Sequence, residues 1–454
     1  MQATKHQLLS TIFRHLDGLV VAPSAFSLYR KGVLSYLLAN QRVEVGELSK
    51  HFNANEGYLN VALRTLASQG WLLQEVDNRA NKVFYACNAN SERAFSLVPY
   101  YEEVVRLMQL SEKYHPRKFE EEPFQAMLQV IEKYKRGYDW SSPKDEIQQQ
   151  ILSHIEGVIV GPSVVHLGMG GMFHKYFMEA SFRPEEFHAQ PESFKKLLDF
   201  FTWLGWFNEK NGTYQFTEKG FFFARRASAY GVTVSYIPTL RKLDELIFGN
   251  PTILWNVPVG SPEQHVDREM NVWGSGGAHA TYFKVIDEII IELFNRPIGE
   301  QPKGILDMGC GNGAFLQHLY EVIEKYTQRG KVLDEYPLFL IGVDYNEAAL
   351  KVTRANLVKA GIWAKVIWGD IGKPDLLAQT LKNDYGILLE DLLNVRTFLD
   401  HNRIWEEPLH PNPTRVSTST GAFAYRGRRL SNNLVEDSLF EHLKKWEKFV
   451  RKFG

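Results

Sequence analysis

The sequence predicts an α/β chain in which two units of helices with short β-hairpins precede a parallel, doubly wound sheet. Three observations lead to this prediction. Apolar strands alternate with helical segments from residue 304 onward, and a glycine-rich turn joins the first strand to its helix. Upstream, one pattern of helices and a hairpin occurs twice. The predicted domains are residues 1–115, 116–250 and 251–454.

The composition is that of a globular chain without a strong electrostatic preference. Its 454 residues carry a formal net charge of −1, which gives no general attraction to nucleic acid or to a membrane surface. The two cysteines, Cys87 and Cys310, are too few for a disulfide framework or a zinc site. Lys5, His6 and Arg14 interrupt any N-terminal signal sequence, and no apolar run approaches the ~18 residues of a membrane span. We therefore expect a cytoplasmic protein with no membrane partner.

The first strand of the predicted sheet ends in an acid and a glycine-rich turn. Residues 304–308 form the strand, and glycines follow at positions 309, 311 and 313. Glycine adopts positive φ without a Cβ clash, so the backbone can approach a ligand closely. The helix that follows presents unpaired amides at its N-terminus. The predicted cofactor contacts in this motif are Asp307, Gly309, Gly311 and Gly313.

The next three predicted strands also carry acids at or near their ends. They span residues 338–344, 364–371 and 385–391. Because the carboxyl ends of parallel strands meet at one edge of a sheet, these acids should line the same crevice as the glycine turn. An acid at the end of the second strand suits the hydroxyls of a ribose. The residues predicted to contact a cofactor here are Asp344, Tyr345, Asp370, Ile371 and Glu390.

This arrangement resembles the class I S-adenosylmethionine (SAM)-dependent methyltransferases. Residues 307–313, Asp-Met-Gly-Cys-Gly-Asn-Gly, match their first motif. The resemblance implies a Rossmann-like sheet with SAM as cofactor. It places the glycine turn against the methionine part of SAM, Asp344 on the ribose hydroxyls and Asp370 near the adenine amine. A dinucleotide-dependent dehydrogenase fits less well, because its turn reads Gly-x-Gly-x-x-Gly.

Residues 1–86 follow the winged-helix pattern of helices and a two-stranded wing. In DNA-binding proteins of this kind the third helix reads the major groove. Here that helix, residues 56–68, carries Arg64 and opens with Glu56, whereas a surface that follows phosphates should be markedly basic. We therefore expect no nucleic-acid partner. A non-catalytic, SAM-binding winged-helix regulator stays open as an alternative.

A second copy of this unit follows the first. The segment from His15 to Ser24 parallels the segment from His154 to Ser163. In the first copy, residues 16–23 are predicted to form an apolar turn. The second wing turns at Asn211-Gly212, a dipeptide typical of type I′ hairpins. The sequence thus predicts two tandem winged-helix-like units.

Two polar stretches flank the sheet and carry the candidate acceptor chemistry. The first, Val-Trp-Gly-Ser-Gly-Gly-Ala-His279, precedes the first strand, and its histidine could reach the cofactor or the substrate. The second, Phe-Leu-Asp-His401-Asn-Arg403, follows the fourth strand, where the ligand crevice of such a sheet opens. His401 could remove a proton from the acceptor or ligate a metal ion, and Arg403 or Arg396 could pair with a substrate carboxylate. Alternatively, these side chains only cap a helix and pair with one another. The predicted catalytic residues are His401, Arg403 and His279.

Together with the tandem units, these stretches resemble the C-methyltransferases of polyketide synthases, nearest to those of the apratoxin loading-module type. The resemblance implies methylation of the α-carbon of a malonyl-type thioester on an acyl carrier protein. Some relatives hold a divalent or iron ion partly by histidine, and His401 is the only candidate ligand here. A small-molecule O-methyltransferase, in which His401 deprotonates a hydroxyl, is the alternative enzyme.

The predicted sheet stops after four strands. A long amphipathic helix spans residues 434–452, where a class I methyltransferase continues with its fifth strand. We therefore expect a sheet that lacks its last strands, which a second chain could complete. Residues 417–429, rich in serine, threonine, glycine and arginine, are expected to be mobile.

Overall fold

The computed structural model describes residues 4–111, 114–115, 118–119, 121–176, 181–255, 263–279, 282–397 and 399–454. The chain divides into two compact units. The first comprises Met1–Gly274 and Val416–Asn432, and the second comprises Ser275–Arg415 and Asn433–Gly454. The first unit contains the residues of both predicted N-terminal domains, and one apolar core extends from Ile12 to Met270. A segment of the predicted third domain also belongs to the first unit.

The helices of the first unit pack around this single core. The last of them, α15, ends in the second unit. Their bounds are α1 (Lys5–Arg30), α2 (Val33–Asn40), α3 (Val45–Phe52), α4 (Glu56–Ser68), α5 (Ser91–Leu97), α6 (Glu102–Gln109), α7 (Glu121–Lys135), α8 (Glu146–Met169), α9 (Met172–Tyr176), α10 (Pro191–Trp203), α11 (Glu218–Ala224), α12 (Ser228–Ser235), α13 (Ile237–Leu240), α14 (Leu243–Phe248) and α15 (Arg268–His279).

The strands of the first unit are short and antiparallel. They form one three-stranded sheet, in the order β1-β3-β2, and three two-stranded pairs. Their bounds are β1 (Arg42–Glu44), β2 (Leu72–Asp77), β3 (Lys82–Cys87), β4 (Tyr114–His115), β5 (Lys118–Phe119), β6 (Phe207–Lys210), β7 (Thr213–Phe216), β12 (Phe423–Tyr425) and β13 (Arg428–Leu430).

Helix α1 runs without interruption through residues 16–23, so the predicted apolar turn is wrong. Pro23 lies inside the helix, where it removes one backbone hydrogen bond. The helix continues because α1 packs along α8, and Leu19 and Ala22 are completely buried. Burial of this apolar stretch outweighs the local preference of proline and Gly18 for a break.

The two copies of the repeat cross each other at equivalent residues. A Cβ atom on Gly18 of α1 would lie 2.3 Å from the carbonyl oxygen of His154 on α8. A Cβ atom on Gly157 of α8 would lie 2.3 Å from the carbonyl oxygen of His15 on α1. The repeated segments therefore form a reciprocal helix crossing in which each glycine admits the backbone of the other helix.

Both predicted wings are present. The first is the three-stranded sheet beside α3 and α4. The second is the β6–β7 hairpin, in which Lys210 pairs with Thr213. Asn211 and Gly212 have φ values of 54° and 76°, the positive values that a type I′ turn requires. The predicted turn at Asn211-Gly212 is therefore confirmed.

Helix α4 is covered by the β12–β13 hairpin, although residues 417–429 are predicted to be mobile. The amide of Gly57 donates to the carbonyl oxygen of Gly427 over 2.8 Å. Arg429 pairs with Glu56 and also donates to Asn81. A Cβ atom on Gly57 would lie 2.5 Å from the carbonyl oxygen of Arg428, so helix and hairpin are in backbone contact.

The second unit contains the predicted parallel sheet with helices on its faces. Its strand order is β10-β9-β8-β11, and each neighbouring pair is parallel. The elements are α16 (Asp287–Phe294), β8 (Gly304–Met308), α17 (Ala314–Tyr326), β9 (Phe339–Asp344), α18 (Glu347–Lys359), β10 (Lys365–Trp368), α19 (Pro374–Tyr385), β11 (Leu392–Val395) and α20 (Asn432–Val450).

The fourth strand lies later in the chain than predicted. Helix α19 extends to Tyr385 and ends at Gly386, whose φ of 68° is the left-handed value typical of a helix C-terminus. Residues Leu389–Asp391 form a 3-10 turn, and β11 begins only at Leu392. The apolar residues taken for a strand are instead a connection in which Leu389 is buried in the core.

The outer edge of β11 meets the chain's own C-terminal residues. The amide of Asn394 donates to the carbonyl oxygen of Phe453 over 3.1 Å, and its side-chain amide donates to that of Phe449. Trp446 of α20 is fully buried and donates from Nε1 to the carbonyl oxygen of Ile371. The last helix therefore packs on the four described strands, and completion of the sheet by a second chain stays a prediction.

Within the described ranges, one helix meets the length and composition of a membrane span. It is α8, with a mean hydropathy of 1.3 over its most apolar window, and 67% of that window is buried inside the protein. A core helix has the same properties, and α8 occupies the core.

Candidate cofactor and acceptor site

The glycine turn between β8 and α17 leaves one side open. Gly309, Gly311 and Gly313 have φ values of 83°, 58° and 78°, so each uses the conformation that favours glycine. A Cβ atom on Gly309 would meet Leu399 at 2.6 Å, and one on Gly313 would meet Thr353 at 3.0 Å. At Gly311 the nearest such atom is 4.0 Å away, so the middle of the turn faces space that a ligand could fill.

Asp344, at the end of β9, is tied to this turn. Its Oδ2 atom accepts a hydrogen bond from the amide of Gly311 over 3.1 Å, and its Oδ1 atom accepts from the amide of Asn346 over 2.9 Å. A carboxylate has about four lone-pair sites, so both oxygens can accept further hydrogen bonds from a diol. Asp344, the residue predicted to bind the ribose hydroxyls, therefore lies directly beside the glycine turn.

Asp307 provides a buried acid under the turn. Its side chain is 2% exposed, and its Oδ2 atom has no hydrogen-bond partner among the described residues. Burial, together with the negative charge of Asp344, raises the pKa of Asp307 to about 7. A buried carboxyl group with an unused oxygen fits a cationic ligand such as SAM, whose charge would favour its ionised form.

The end of β10 brings an acid and an aromatic pair to the same edge. Trp368 pairs in register with Asp344. The rings of Trp368 and Tyr345 lie 5.5 Å apart between centroids, and both are more than 40% exposed. Asp370, two residues beyond the strand, is buried and accepts a hydrogen bond from the amide of Gly372 over 2.8 Å. Asp370 and Ile371 thus lie at the predicted adenine end of the crevice.

On the other side of β8, the turn after β11 is fixed to α20. The Nε2 atom of His442 lies 2.7 Å from Oδ1 of Asp400, and Arg403 donates to the hydroxyl of Ser438 over 3.2 Å. The hydrogen bond from His442 lowers the pKa of Asp400 in spite of its partial burial, and the charge of Arg396 lowers it further. Residues Asp400–Asn402 form a 3-10 turn that these contacts hold in place.

Arg396 follows β11 directly, and one of its donor atoms has no described partner. Val395 pairs with Asp307, so the arginine emerges at the carboxyl edge of the sheet. Its guanidinium lies 4.5 Å from the ring centroid of Trp446, and its Nη1 atom is buried without a hydrogen-bond partner in the described part of the chain. Burial lowers the pKa of Arg396, as expected for a cation partly removed from water.

Comparison with known proteins agrees with this geometry. A family model described as the AprA MT2-like domain matches residues 263–454. Models described as the AprA winged helix domain and the AprA N-terminal domain match residues 156–250 and 8–74. Together the three cover more than half of the chain. The chain belongs to the AprA family. It is a SAM-dependent methyltransferase, with a Rossmann-like sheet preceded by winged-helix units.

The remaining comparisons add little. No curated protein matches the chain. A solved structure described as "PigF with SAH" is 15% identical and covers 50% of this chain and 67% of that chain, with a TM-score of 0.30. A similarity at that level supports no conclusion about the AprA-family chain.

Glu390 lies away from the glycine turn of this AprA-family chain. It lies in the 3-10 turn before β11, whose first residue, Leu392, pairs with Gly304 at the start of β8. Glu390 is therefore at the amino edge of the sheet, opposite the glycine turn. The fourth strand begins later than predicted, so this position gives no support to Glu390 as a cofactor contact.

The predicted catalytic residues have different surroundings. His401 is exposed on the 400–402 turn, whereas Arg403 donates to the carbonyl oxygen of Asp400 and to Ser438. Arg403 thus positions the turn. The side chain of His279 lies outside the described residues. Three residues before it, a Cβ atom on Gly276 would lie 2.1 Å from Nδ2 of Asn312, so the end of α15 does cover the glycine turn.

A metal ion receives no support from the described residues. They contain no group of three or more histidine, cysteine, aspartate or glutamate side chains that could hold one. The clearest residue that the sequence did not indicate is His442, because it lies on a helix read only for its apolar spacing. Its partner Asp400 belongs to the stretch singled out as chemically rich.

Proposed function

We propose that this methyltransferase transfers a methyl group to the α-carbon of a malonyl-type thioester on an acyl carrier protein, as a step of polyketide biosynthesis. The observation that carries the proposal is the Nη1 atom of Arg396 at the carboxyl edge of the sheet, which is buried without a hydrogen-bond partner among the described residues. Membership of the AprA family supports the same class of substrate.

Arg396 favours an acceptor with a carboxylate. A guanidinium binds a carboxylate through two parallel hydrogen bonds, and such charge-assisted pairs are strong when they are partly buried. A malonyl thioester offers a carboxylate next to the carbon to be methylated. A simple phenol has no such group and would leave the buried donor of Arg396 unsatisfied.

The chain's own residues would orient the acceptor and move its proton. In this mechanism the substrate carboxylate binds Arg396, and His401 on the 400–402 turn accepts the α-proton. The C–H bond breaks, and the resulting enolate carbon forms the new bond to the methyl group. Bound SAM would supply that methyl group as an electrophile, and its sulfur would keep the electron pair of the broken S–CH3 bond. Asp400 and Arg403 hold the turn that carries His401 against α20.

Two other functions are weaker. A small-molecule O-methyltransferase would use His401 on a hydroxyl but gives Arg396 no role. A winged-helix regulator would need α4 free to enter a DNA groove, whereas that helix packs against the β12–β13 hairpin within the first unit.

The test is the position of the transferred label. The full chain is incubated with methyl-labelled SAM and malonyl-loaded acyl carrier protein, with a phenolic acceptor in a parallel reaction. We expect label on the thioester α-carbon. We also expect a drop of at least about tenfold in kcat/KM for Arg396→Met, and no change for the matched variant Arg451→Met, whose guanidinium is exposed. Label on phenolic oxygen alone, or wild-type turnover by Arg396→Met, would reject the proposal.

A further inference from the structure

The first unit contains a cavity of about 610 Å³ that is separate from the glycine turn and from the 400–402 turn. The described residues that line it lie between Leu107 and Met270, on helices α6, α7, α8, α12, α13 and α15 and the connections between them. Its volume falls in the range of small-molecule binding sites.

The wall of the cavity is mainly apolar and adaptable. Three methionines line it, Met108, Met127 and Met270, and each is at most 5% exposed. Val158 and Ile159 of α8 form another part of the wall. Methionine side chains are flexible and polarisable, so they pack against chains of varied shape. This wall suits an acyl chain better than a polar metabolite.

Positive charge gathers at the end of α13. Arg241 and Lys242 are consecutive, half-buried and part of the lining. Two acids, Glu263 and Asp267, also line the cavity, and both accept hydrogen bonds from groups on or next to α15. Glu263 accepts two hydrogen bonds of 2.8 Å from Arg268, and Asp267 accepts from the amide of Met270 at the start of α15. The cavity therefore combines an apolar wall with a cationic end.

We propose that this cavity binds an acyl chain that ends in a carboxylate, with the carboxylate at Arg241 and Lys242 and the chain among the methionines. Binding of such a ligand is separate from methyl transfer and does not depend on the identity of the methyl acceptor. Burial lowers the pKa of Arg241, which agrees with a guanidinium partly removed from water and suited to a charged partner.

The test uses three ten-carbon probes that differ only in their head group: decanoate, decanol and decylamine. Binding to the full chain is measured by calorimetry. We expect decanoate to bind with one site per chain and more tightly than either of the other probes. Tighter binding of decylamine than of decanoate, or no binding of decanoate, would overturn the proposal.

Variants distinguish binding of the ligand's carboxylate from binding of its alkyl chain. Lys242→Met and Arg241→Met should each weaken decanoate binding about tenfold or more and leave decanol unchanged. Met127→Trp should weaken both by filling the cavity. Lys210→Met removes an exposed lysine of the same unit and should change nothing. An unchanged midpoint of urea unfolding, followed by circular dichroism, shows that each variant is folded. Wild-type decanoate affinity in both Lys242→Met and Arg241→Met would reject the assigned site.

Discussion

Gly18 lies so close to His154 that any side chain at this position would overlap the histidine's backbone, at 2.3 Å from the carbonyl oxygen. The same relationship holds between Gly157 and His15. These four residues are equivalent pairs in the internal repeat. The crossing of α1 and α8 thus depends on the absence of a side chain at one position in each copy.

Replacing either glycine should loosen this crossing. We expect Gly18→Ala and Gly157→Ala each to lower the free energy of unfolding by about 1–3 kcal/mol, because the added methyl group meets backbone that cannot rotate away. Urea unfolding followed by circular dichroism measures the loss. Gly299→Ala is the matched control, since a Cβ atom there meets nothing within 4 Å. Equal midpoints for all three variants would contradict the close approach of the two helices.

Asp344 and Glu390 lie at opposite edges of the sheet, so their replacement should affect SAM binding differently. Asp344→Ala should weaken SAM binding about 10- to 100-fold, because it removes the predicted ribose acceptor and the hydrogen bond that holds Gly311. Glu390→Ala should leave the affinity unchanged, because Glu390 lies at the opposite edge of the sheet. Calorimetry on the full chain compares the two variants. A large loss of SAM affinity in Glu390→Ala would support Glu390 as a cofactor contact.

The raised pKa of Asp307 predicts pH-dependent SAM binding. A cationic ligand favours the ionised carboxylate, so binding requires loss of the proton that the ligand-free chain holds below a pKa of about 7. Affinity should therefore rise by up to about tenfold per pH unit as the pH approaches 7, and level off above it. Titrations between pH 5.5 and 8 measure this slope. Asp307→Asn should remove the slope, whereas the exposed-site control Asp375→Asn should keep it. An unchanged slope in Asp307→Asn would exclude Asp307 as its source.

Much of the cofactor side follows from sequence because its signals are local. The glycine turn directly follows β8, Asp344 ends β9, and Asp370 lies two residues beyond β10. Parallel strands bring these ends together. The fourth strand was predicted too early because the short apolar segment after Gly386 fits a strand and a buried connection equally well.

The acceptor side depends on contacts that sequence does not reveal. Asp400 meets His442 only because α20 packs back onto the sheet. Arg396 stands out because its Nη1 atom is buried without a described partner, and burial follows from packing by Trp446. The β12–β13 hairpin likewise gains its order from α4, which lies far earlier in the chain.

His401, on the 400–402 turn, and His442, which contacts that turn from α20, should have separable roles. His401→Ala should lower kcat strongly and leave the melting temperature unchanged, because the side chain is exposed and its proposed role is proton transfer. His442→Ala should lower the melting temperature as well as kcat, because it removes a buried partner of Asp400. The pH–rate profile distinguishes them: the acidic limb, on which the rate rises as the base loses its proton, should disappear or shift in His401→Ala and persist in His442→Ala. His410→Ala, an exposed histidine of the same segment, is the control for both. A normal profile in His401→Ala with an altered one in His442→Ala would transfer the role of base to His442.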